Sequence, residues 1–368
     1  MPDWRQELRD LTRELGGHAR RVARAIDRTV DRDPYHVAGY RGYASRWRAL
    51  VVGRVLQDEG IQKADPEHRG WQNLLNTLRR LESDPMAFAK VSAKIGDSTH
   101  ELIADDEGFL HEWVKLPTPL EDNVWHPVEI ELIGSASTTP VKGIAQVLVP
   151  SPASAFGIIS DIDDTVLQSD VTMLLSAVRL MLLENSRTRL PFPGVAAFYR
   201  ALHEGKAPAP TNPIFYVSSS PWNLYDVIVD FLEAHEIPIG PLLLRDWDLG
   251  SVLASHKDHK SAIIREILDT YPWMKFLLVG DSSQEDPEIY SAIVAEYPKR
   301  ILAVYIRDVS KSPLRGQAIN ALAEQVKLSE CELVLGADTM ALATHAAAKG
   351  WIDPVRLADV RDEKKQES

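Results

Sequence analysis

The spacing of apolar residues divides the chain into three stretches. In residues 1–33 apolar positions recur at steps of three and four, once seven, which predicts an amphipathic helix. Arginines interleaved with nearly as many acids occupy its other face, so packing on the protein itself is favoured over binding to a membrane surface. The apolar positions are Trp4, Leu8, Leu11, Leu15, Val22, Ile26 and Val30.

Residues 34–150 carry short segments typical of β-strands. Strands are predicted over residues 48–56, 89–95, 101–104, 109–116, 128–133 and 144–149, with one helix near residues 71–81. A turn sequence at residues 105–108 favours a hairpin. Several short strands at this spacing predict a small β-sandwich. The stretch shows no catalytic constellation, so a scaffold or partner-binding role is expected.

From residue 151 apolar strands alternate with helical patterns. Strands are predicted over residues 156–159, 214–217, 242–244, 276–279, 301–306 and 332–335, and helices over residues 222–235, 260–268 and 340–349. This alternation predicts an α/β fold with a Rossmann-like parallel sheet and helices on both faces. We expect a catalytic domain over residues 151–353 and a charged tail over residues 354–368, frayed from residue 361.

Composition narrows the class of protein. The 368 residues suffice for two domains, and 45% apolar and 26% charged residues are ordinary for a globular protein. No apolar run approaches the roughly 18 residues of a transmembrane helix, and no signal-peptide core follows Met1. The single cysteine, Cys331, excludes an intrachain disulfide framework. These features favour the cytoplasm, and a net charge of −12 argues against general nucleic-acid binding.

Three carboxylates follow the apolar strand that begins the α/β pattern. They are Asp161, Asp163 and Asp164, and burying them without compensation would be costly. A divalent cation at the carboxyl end of the strand explains the cluster, since open α/β sheets bind ligands there. Because strand side chains alternate, Asp161 and Asp163 project to the same side. One carboxylate can then attack phosphorus while the other handles a proton.

Two further strand ends carry residues suited to phosphate. Ser218 and Ser219 can hold a phosphoryl oxygen at a strand-to-helix turn, although a serine run there is more often an N-cap. Lys257 or Lys260 could neutralise a phosphoryl group, and a solvated lysine is the simpler alternative for either. The neighbouring His256 and His259 lack a third soft ligand, which disfavours a histidine metal site.

A second acidic cluster follows the strand predicted over residues 276–279. Asp281 comes directly after Gly280, and Asp286 follows across a short loop. Hard oxygen ligands of this kind are what Mg²⁺ prefers. An aspartate helix cap explains Asp281 alone, but two acidic strand ends together favour a magnesium site.

These motifs occur in the order of the four motifs of the haloacid dehalogenase-like superfamily, across roughly residues 156–308. More narrowly, the runs SDIDDTV, FYVSSSPWNLYD, LLLRDWDL and GDSSQEDPEIY resemble the catalytic domain of the actin-patch-associated phosphatidate phosphatase family. The run GWQNLLNTLRR and the β-rich stretch are similar to bacterial members of that family.

The resemblance implies a mechanism with assigned residues. Asp161 would be the nucleophile that forms an aspartyl-phosphate, and Asp163 would protonate the leaving alkoxide and later activate water. Ser218 and Lys260 would hold phosphoryl oxygens, with Lys260 preferred over Lys257 because it lies at the predicted helix start. Mg²⁺ would be bound by Asp161, the carbonyl of Asp163, and Asp281, with Asp286 a ligand or one step removed. The implied substrate is phosphatidate, a phospholipid, and peripheral membrane contact would follow.

The sequence leaves three points open: the role of one apolar segment, the substrate, and the class of protein. An almost wholly apolar segment at residues 171–184 predicts either a lid over the site or a helix packed on the sheet or on the β-rich domain. Arg187, Arg189 and Arg245 could add positive charge near the mouth. The substrate could instead be a soluble phosphomonoester. From another class, the chain could be a membrane- or partner-binding module that works through its N-terminal helix and β-rich stretch.

Overall fold

The computed structural model describes residues 35–57, 85–134, 139–162, 193–206, 210–245, 256–310 and 312–366. The predicted helices at residues 4–33 and 71–81, and the segment at residues 171–184, lie outside these ranges. Among the described residues, no helix is both long and apolar enough to cross a lipid bilayer.

The first eight strands form a β region of two sheets that share strand β2. One sheet pairs β3 with β1, β2 and β6, and the other runs in the order β2-β8-β7-β4-β5. The side chains of these strands enclose one apolar core. The strands are β1 (Tyr35–Gly39), β2 (Arg41–Ser45), β3 (Arg48–Gln57), β4 (Lys90–Ile95), β5 (Ser98–Ile103), β6 (Phe109–Lys115), β7 (Val124–Leu132) and β8 (Lys142–Val149).

The remaining strands form one parallel sheet of six, in the order β11-β10-β9-β12-β13-β14. The central strands β9 and β12 are wholly buried, as expected of strands covered on both faces, whereas the edge strand β14 is partly exposed. The strand order reverses between β9 and β12, which creates a crevice at their carboxyl ends. The strands are β9 (Gly157–Asp161), β10 (Ile214–Pro221), β11 (Leu242–Arg245), β12 (Phe276–Asp281), β13 (Ile301–Arg307) and β14 (Glu332–Gly336).

Seven helices in the described ranges cover this sheet on both faces. The adjacent residues Phe215 and Tyr216 of β10 point to opposite faces: the ring of Phe215 contacts Tyr271, and the ring of Tyr216 stacks on Tyr199. The mixed α/β fold with a parallel sheet is thus confirmed. The helices are α1 (Val195–Glu204), α2 (Tyr225–Ala234), α3 (His256–Thr270), α4 (Asp286–Glu296), α5 (Pro313–Lys327), α6 (Thr339–Ala348) and α7 (Leu357–Gln366).

The charged carboxyl-terminal segment is ordered through most of its length, so the expectation of a frayed tail from residue 361 is wrong. α7 buries Val360 completely. Glu363 pairs with Arg200 of α1 at 2.7 Å, and Lys364 pairs with Asp338 at 2.5 Å. One buried apolar side chain and these ion pairs hold a helix whose composition resembles a solvated tail.

The β region packs directly on the α/β sheet. Its residues Tyr40 and Tyr43 join the same apolar core as the parallel strands. The ring of Tyr43 meets that of Phe215 at a centroid distance of 5.6 Å, and Tyr271 donates its hydroxyl proton to the carbonyl of Ala44 at 3.0 Å. The two regions therefore share buried surface next to β10.

Candidate active site

The site begins with Asp161, the last residue of β9. The strand is a run of small and apolar residues up to that point, so Asp161 is carried into the centre of the sheet and is fully buried. In the register, Asp161 lies opposite Val217 of β10, and Ser160 lies opposite Val279 of β12. The aspartate therefore lies at the crevice where the strand order reverses.

Two more carboxylates come from the end of β12. Asp281 ends that strand, and Asp286 is the first residue of α4. Carboxylate oxygens of Asp161, Asp281 and Asp286 lie within 4.8 Å of one another, and all three residues are buried. The two acidic strand ends predicted from the sequence therefore converge.

Backbone geometry at β12 brings Asp286 close. The amide of Asp281 donates to Oδ2 of Asp286 at 3.3 Å. A Cβ atom on Gly280 would lie 2.4 Å from that same oxygen. Glycine is thus required at position 280 because any side chain would displace the carboxylate.

Lys260 lies between two of the carboxylates. Its Nζ donates to Oδ1 of Asp161 at 2.9 Å and to Oδ1 of Asp286 at 2.6 Å. Burial opposes its charge, but the attraction of the two carboxylates outweighs it, so the pKa of Lys260 is raised above its usual value. The lysine is therefore a permanent cation at neutral pH.

The prediction that Lys260 lies at a helix start is wrong. Helix α3 already includes His256, so Lys260 lies a full turn inside the helix and not at its start. Its reach to Asp161 comes from the face of α3 that it occupies. The side chain of Lys257, the alternative, lies outside the described part of the structure.

The serines end β10 and are not the N-cap of α2, which is Leu224. β10 continues to Pro221, and a turn of 3₁₀-helix separates it from α2. Ser218 is buried next to the position opposite Asp161, and its Oγ accepts from the amide of Ser220 at 2.9 Å. Ser219 is half-buried. The N-cap alternative is thus wrong for this run.

Aromatic rings of the β region support the end of β10. Trp222, which follows the serine strand directly, stacks on Tyr40 at a centroid distance of 5.0 Å and an interplanar angle of 15°. Phe109 of β6 lies on Trp222 at 6.2 Å. The serine segment is therefore held in part by residues from outside the parallel sheet.

The charges of the cluster fit a divalent cation. Three buried carboxylates face a single buried ammonium group, which leaves two negative charges uncompensated among these four side chains. Such an excess is costly away from water, and oxygen-only ligands suit a hard cation. Asp161, Asp281 and Asp286 could therefore hold a metal ion. Asp163 lies outside the described residues.

Two residues that shape the site were not among those predicted from the sequence. Ser283 donates its amide and its hydroxyl to Oδ1 of Asp281, at 2.5 Å and 2.6 Å. Arg315 of α5 contacts the same loop. Ser283 lies within the acidic run and could have been found there, whereas Arg315 is far along the chain and could not. Arg245 ends β11 and is buried, and Arg187 and Arg189 lie outside the described ranges.

Comparisons with known proteins bear on this region. Residues 156–308 match the family model described as phosphatidate phosphatase APP1, catalytic domain. The phosphatidate phosphatase APP1 of Saccharomyces cerevisiae is 32% identical over 184 residues, which are 47% of this chain and 30% of that protein. The uncharacterized protein C29B5.04c of Schizosaccharomyces pombe is 26% identical over 291 residues, 74% of this chain and 46% of that protein. The matches thus span less than half the length of either relative.

Among solved structures, a carbohydrate acetylesterase from Xanthomonas citri is 11% identical with a TM-score of 0.26, over 77% of this chain and 72% of that one. A likeness at that level has no bearing on fold or function. The match to the family model has a bearing, because it begins just before β9 and ends just after β13, and so contains Asp161, Lys260, Asp281 and Asp286. Residues 156–308 of this chain are therefore similar to the phosphatidate phosphatase APP1 catalytic domain.

Proposed function

We propose that the chain is a Mg²⁺-dependent phosphomonoester hydrolase that acts through an aspartyl-phosphate, with phosphatidate as its substrate. One observation carries the proposal: Asp161, Asp281, Asp286 and Lys260 converge, fully buried, at the carboxyl end of the parallel sheet. The match to a family of phosphatidate phosphatases over the same residues supports the reaction class.

Asp161, Asp281 and Asp286 would hold the metal ion, together with the backbone carbonyl that the family resemblance assigns to Asp163. A bound Mg²⁺ neutralises charge on the phosphate and on the carboxylates. Lys260 supplies one further positive charge at a fixed place, 2.9 Å from the carboxylate of Asp161. This cation keeps the carboxylate of Asp161 oriented for attack.

In the first step a carboxylate oxygen of Asp161 forms a bond to phosphorus, and the bond from phosphorus to the alcohol oxygen breaks. The leaving alkoxide takes a proton from Asp163, the residue that the family resemblance assigns to this role. In the second step Asp163 takes a proton from water, which attacks the aspartyl-phosphate and releases inorganic phosphate. Ser218, Ser219 and Lys260 would hold the phosphoryl oxygens while they are transferred.

Phosphatidate is proposed because the yeast relative is a phosphatidate phosphatase by name. Its product would be diacylglycerol. A lipid substrate would bring the protein to a membrane surface, which agrees with a cytoplasmic protein in peripheral contact with the bilayer.

The experiment compares the intact chain with its Asp161→Asn variant. Phosphate release from phosphatidate vesicles should fall by at least about 10³-fold, since the amide is a poor nucleophile. Asp269→Asn is the matched control, because Asp269 is exposed on α3 and bonds only Tyr297 in the described structure. If Asp161→Asn retains activity, Asp161 is not the nucleophile. If phosphate is released faster from a soluble ester such as glycerol phosphate, the substrate is not a lipid.

A further inference from the structure

Arg315 lies in the first turn of α5 and contacts three points of the loop that follows β12. Its Nε donates to the carbonyl of Ser282 at 2.9 Å, and one of its terminal nitrogens donates to the carbonyl of Gln284. The guanidinium also forms a two-pronged pair with Glu288 of α4, with Nη2 2.9 Å from Oε2. A single planar group thus spans the loop from one end to the other.

The backbone that Arg315 holds is the backbone that orients Asp281 and Asp286. Oδ1 of Asp281 accepts from the amides of Ser283 and Gln284, at 2.5 Å and 3.3 Å. The carbonyl of Ser282 belongs to the same peptide unit as the amide of Ser283, and the carbonyl of Gln284 belongs to the peptide unit that follows the amide of Gln284. If the loop shifted, the carboxylate of Asp281 would lose its hydrogen bonds and the distance to Asp286 would change.

The charge of Arg315 also faces the acidic cluster. Its hydrogen bond to Glu288 raises its pKa, and the attraction of Asp281 and Asp286 adds to that effect against the partial desolvation of the group. Arg315 lies beyond residue 308, outside the stretch that matches the family. The contact is therefore a contribution of the next helix of this chain to the site.

We propose that Arg315 is a positioning residue for the metal ion: it fixes the loop between Asp281 and Asp286 so that the two carboxylates can bind one cation together. This inference rests on the metal site of the proposed function. The five donors of a guanidinium, in a rigid plane, are needed to reach two carbonyls and one carboxylate at once. A lysine would keep the charge and lose this geometry.

The test measures Mg²⁺ binding to the full-length, metal-stripped protein by calorimetry, without substrate. Arg315→Lys is expected to weaken binding about 10- to 100-fold, the usual effect of losing a group that orients metal ligands. Arg265→Lys is the matched control: Arg265 also pairs with a glutamate of α4, its Nε donating to both carboxylate oxygens of Glu296 at 2.9 Å and 2.8 Å, but its side-chain contacts in the described structure do not reach the loop. Its Mg²⁺ affinity should equal that of the wild type.

Phosphate release gives the second readout. Arg315→Lys should need about 10- to 100-fold more Mg²⁺ for half-maximal rate, with kcat restored at saturating Mg²⁺. Wild-type affinity in Arg315→Lys, or an equal loss in Arg265→Lys, would overturn the role of Arg315. A wild-type protein that binds Mg²⁺ but releases no phosphate would refute the proposed function and leave the positioning role standing, whereas a wild type that binds no Mg²⁺ would refute both.

Should Arg315→Lys unfold in metal-free buffer, Glu288→Gln serves instead. It leaves the two carbonyl contacts of Arg315 in place and removes the charged partner. We expect Glu288→Gln to weaken Mg²⁺ binding by less than tenfold. An affinity equal to that of the wild type would count against the proposal.

Discussion

Two charged clusters in this molecule have nearly the same geometry and opposite composition. At the carboxyl end of the sheet, Lys260 lies between two carboxylates at 2.9 Å and 2.6 Å. At the last strand, Glu332 lies between two nitrogen groups, Lys349 and His345, each at 2.8 Å. The side chain of Lys260 is 3% exposed, whereas that of Glu332 is 46% exposed.

Burial, and not distance, separates the two clusters. Exposed ionic groups interact with water almost as favourably as with each other. An exposed ion pair therefore contributes little to the free energy of unfolding, typically below about 1 kcal/mol. Water cannot replace either partner of a buried pair, so removal of one partner leaves the other as an unpaired charge in the protein interior. The cluster at the crevice is therefore poised for charge chemistry, and the cluster at the last strand only helps to anchor α6.

The largest effect is expected when the buried cation is removed. Lys260→Met leaves the carboxylates of Asp161 and Asp286 without their neutralising partner. The free energy of unfolding in metal-free buffer should fall by about 3–5 kcal/mol. Urea denaturation measures this, and added Mg²⁺ is expected to restore part of the loss. A loss below about 1 kcal/mol would mean that water screens this pair as it screens an exposed one.

A smaller effect is expected from crowding the same cluster. Gly280→Ala places a methyl group against Oδ2 of Asp286, so the carboxylate or the backbone must move. We expect a loss of about 1–3 kcal/mol in the free energy of unfolding and weaker Mg²⁺ binding.

Gly316→Ala is the control for that change. Gly316 lies in α5, and a Cβ there would have open space around it. Alanine should raise the free energy of unfolding by about 0.5–1 kcal/mol, because it favours the helix. Equal behaviour of the two variants in thermal and urea unfolding would contradict the tight fit at Gly280.

The smallest effect is expected at the exposed cluster. Glu332→Gln should cost less than about 1 kcal/mol at pH 7. The hydrogen bond from Lys349, and that from His345, lower the pKa of Glu332 below its ordinary value. A carboxyl with a lowered pKa stabilises the fold above its unfolded pKa, and this contribution disappears as the pH falls through the folded value.

The difference between wild type and Glu332→Gln should therefore be present at pH 7 and shrink as the pH falls below the ordinary glutamate pKa of 4.5. Urea denaturation at a series of pH values follows this. A difference that grows on acidification would show that the carboxylate is not what stabilises the wild type.

The sequence predicts the acidic strand ends well because their signal is local. An apolar run that is followed by aspartates, as before Asp161 and Asp281, is typical of a buried strand that ends in potential metal ligands. The structure brings the ends of both strands together. Lys260, predicted at a helix start, lies inside α3 and still reaches the carboxylates of Asp161 and Asp286. The serine run misleads because β10 extends four residues beyond its apolar part, to Pro221.

Contacts between distant parts of the chain have no such signal. α5, which carries Arg315, buries only Ile319 and Val326, so its pattern says little about which face meets the site. β1 and β2 are short strands that depend on pairing with β3 and β8, and neither was predicted. The charged sequence of α7 does not indicate a packed helix, because the partners of its ion pairs, Arg200 and Asp338, lie elsewhere in the chain.

The stack of Tyr40 on Trp222 has an evolutionary consequence. An isolated α/β region would lose the rings of the β region that pack on Trp222, Phe215 and Tyr271. Recombination that joined the α/β region to a different domain would therefore remove the stack of Tyr40 on Trp222 that supports the serines at the end of β10. The two regions are expected to be inherited together and to accept compensating substitutions across their shared surface.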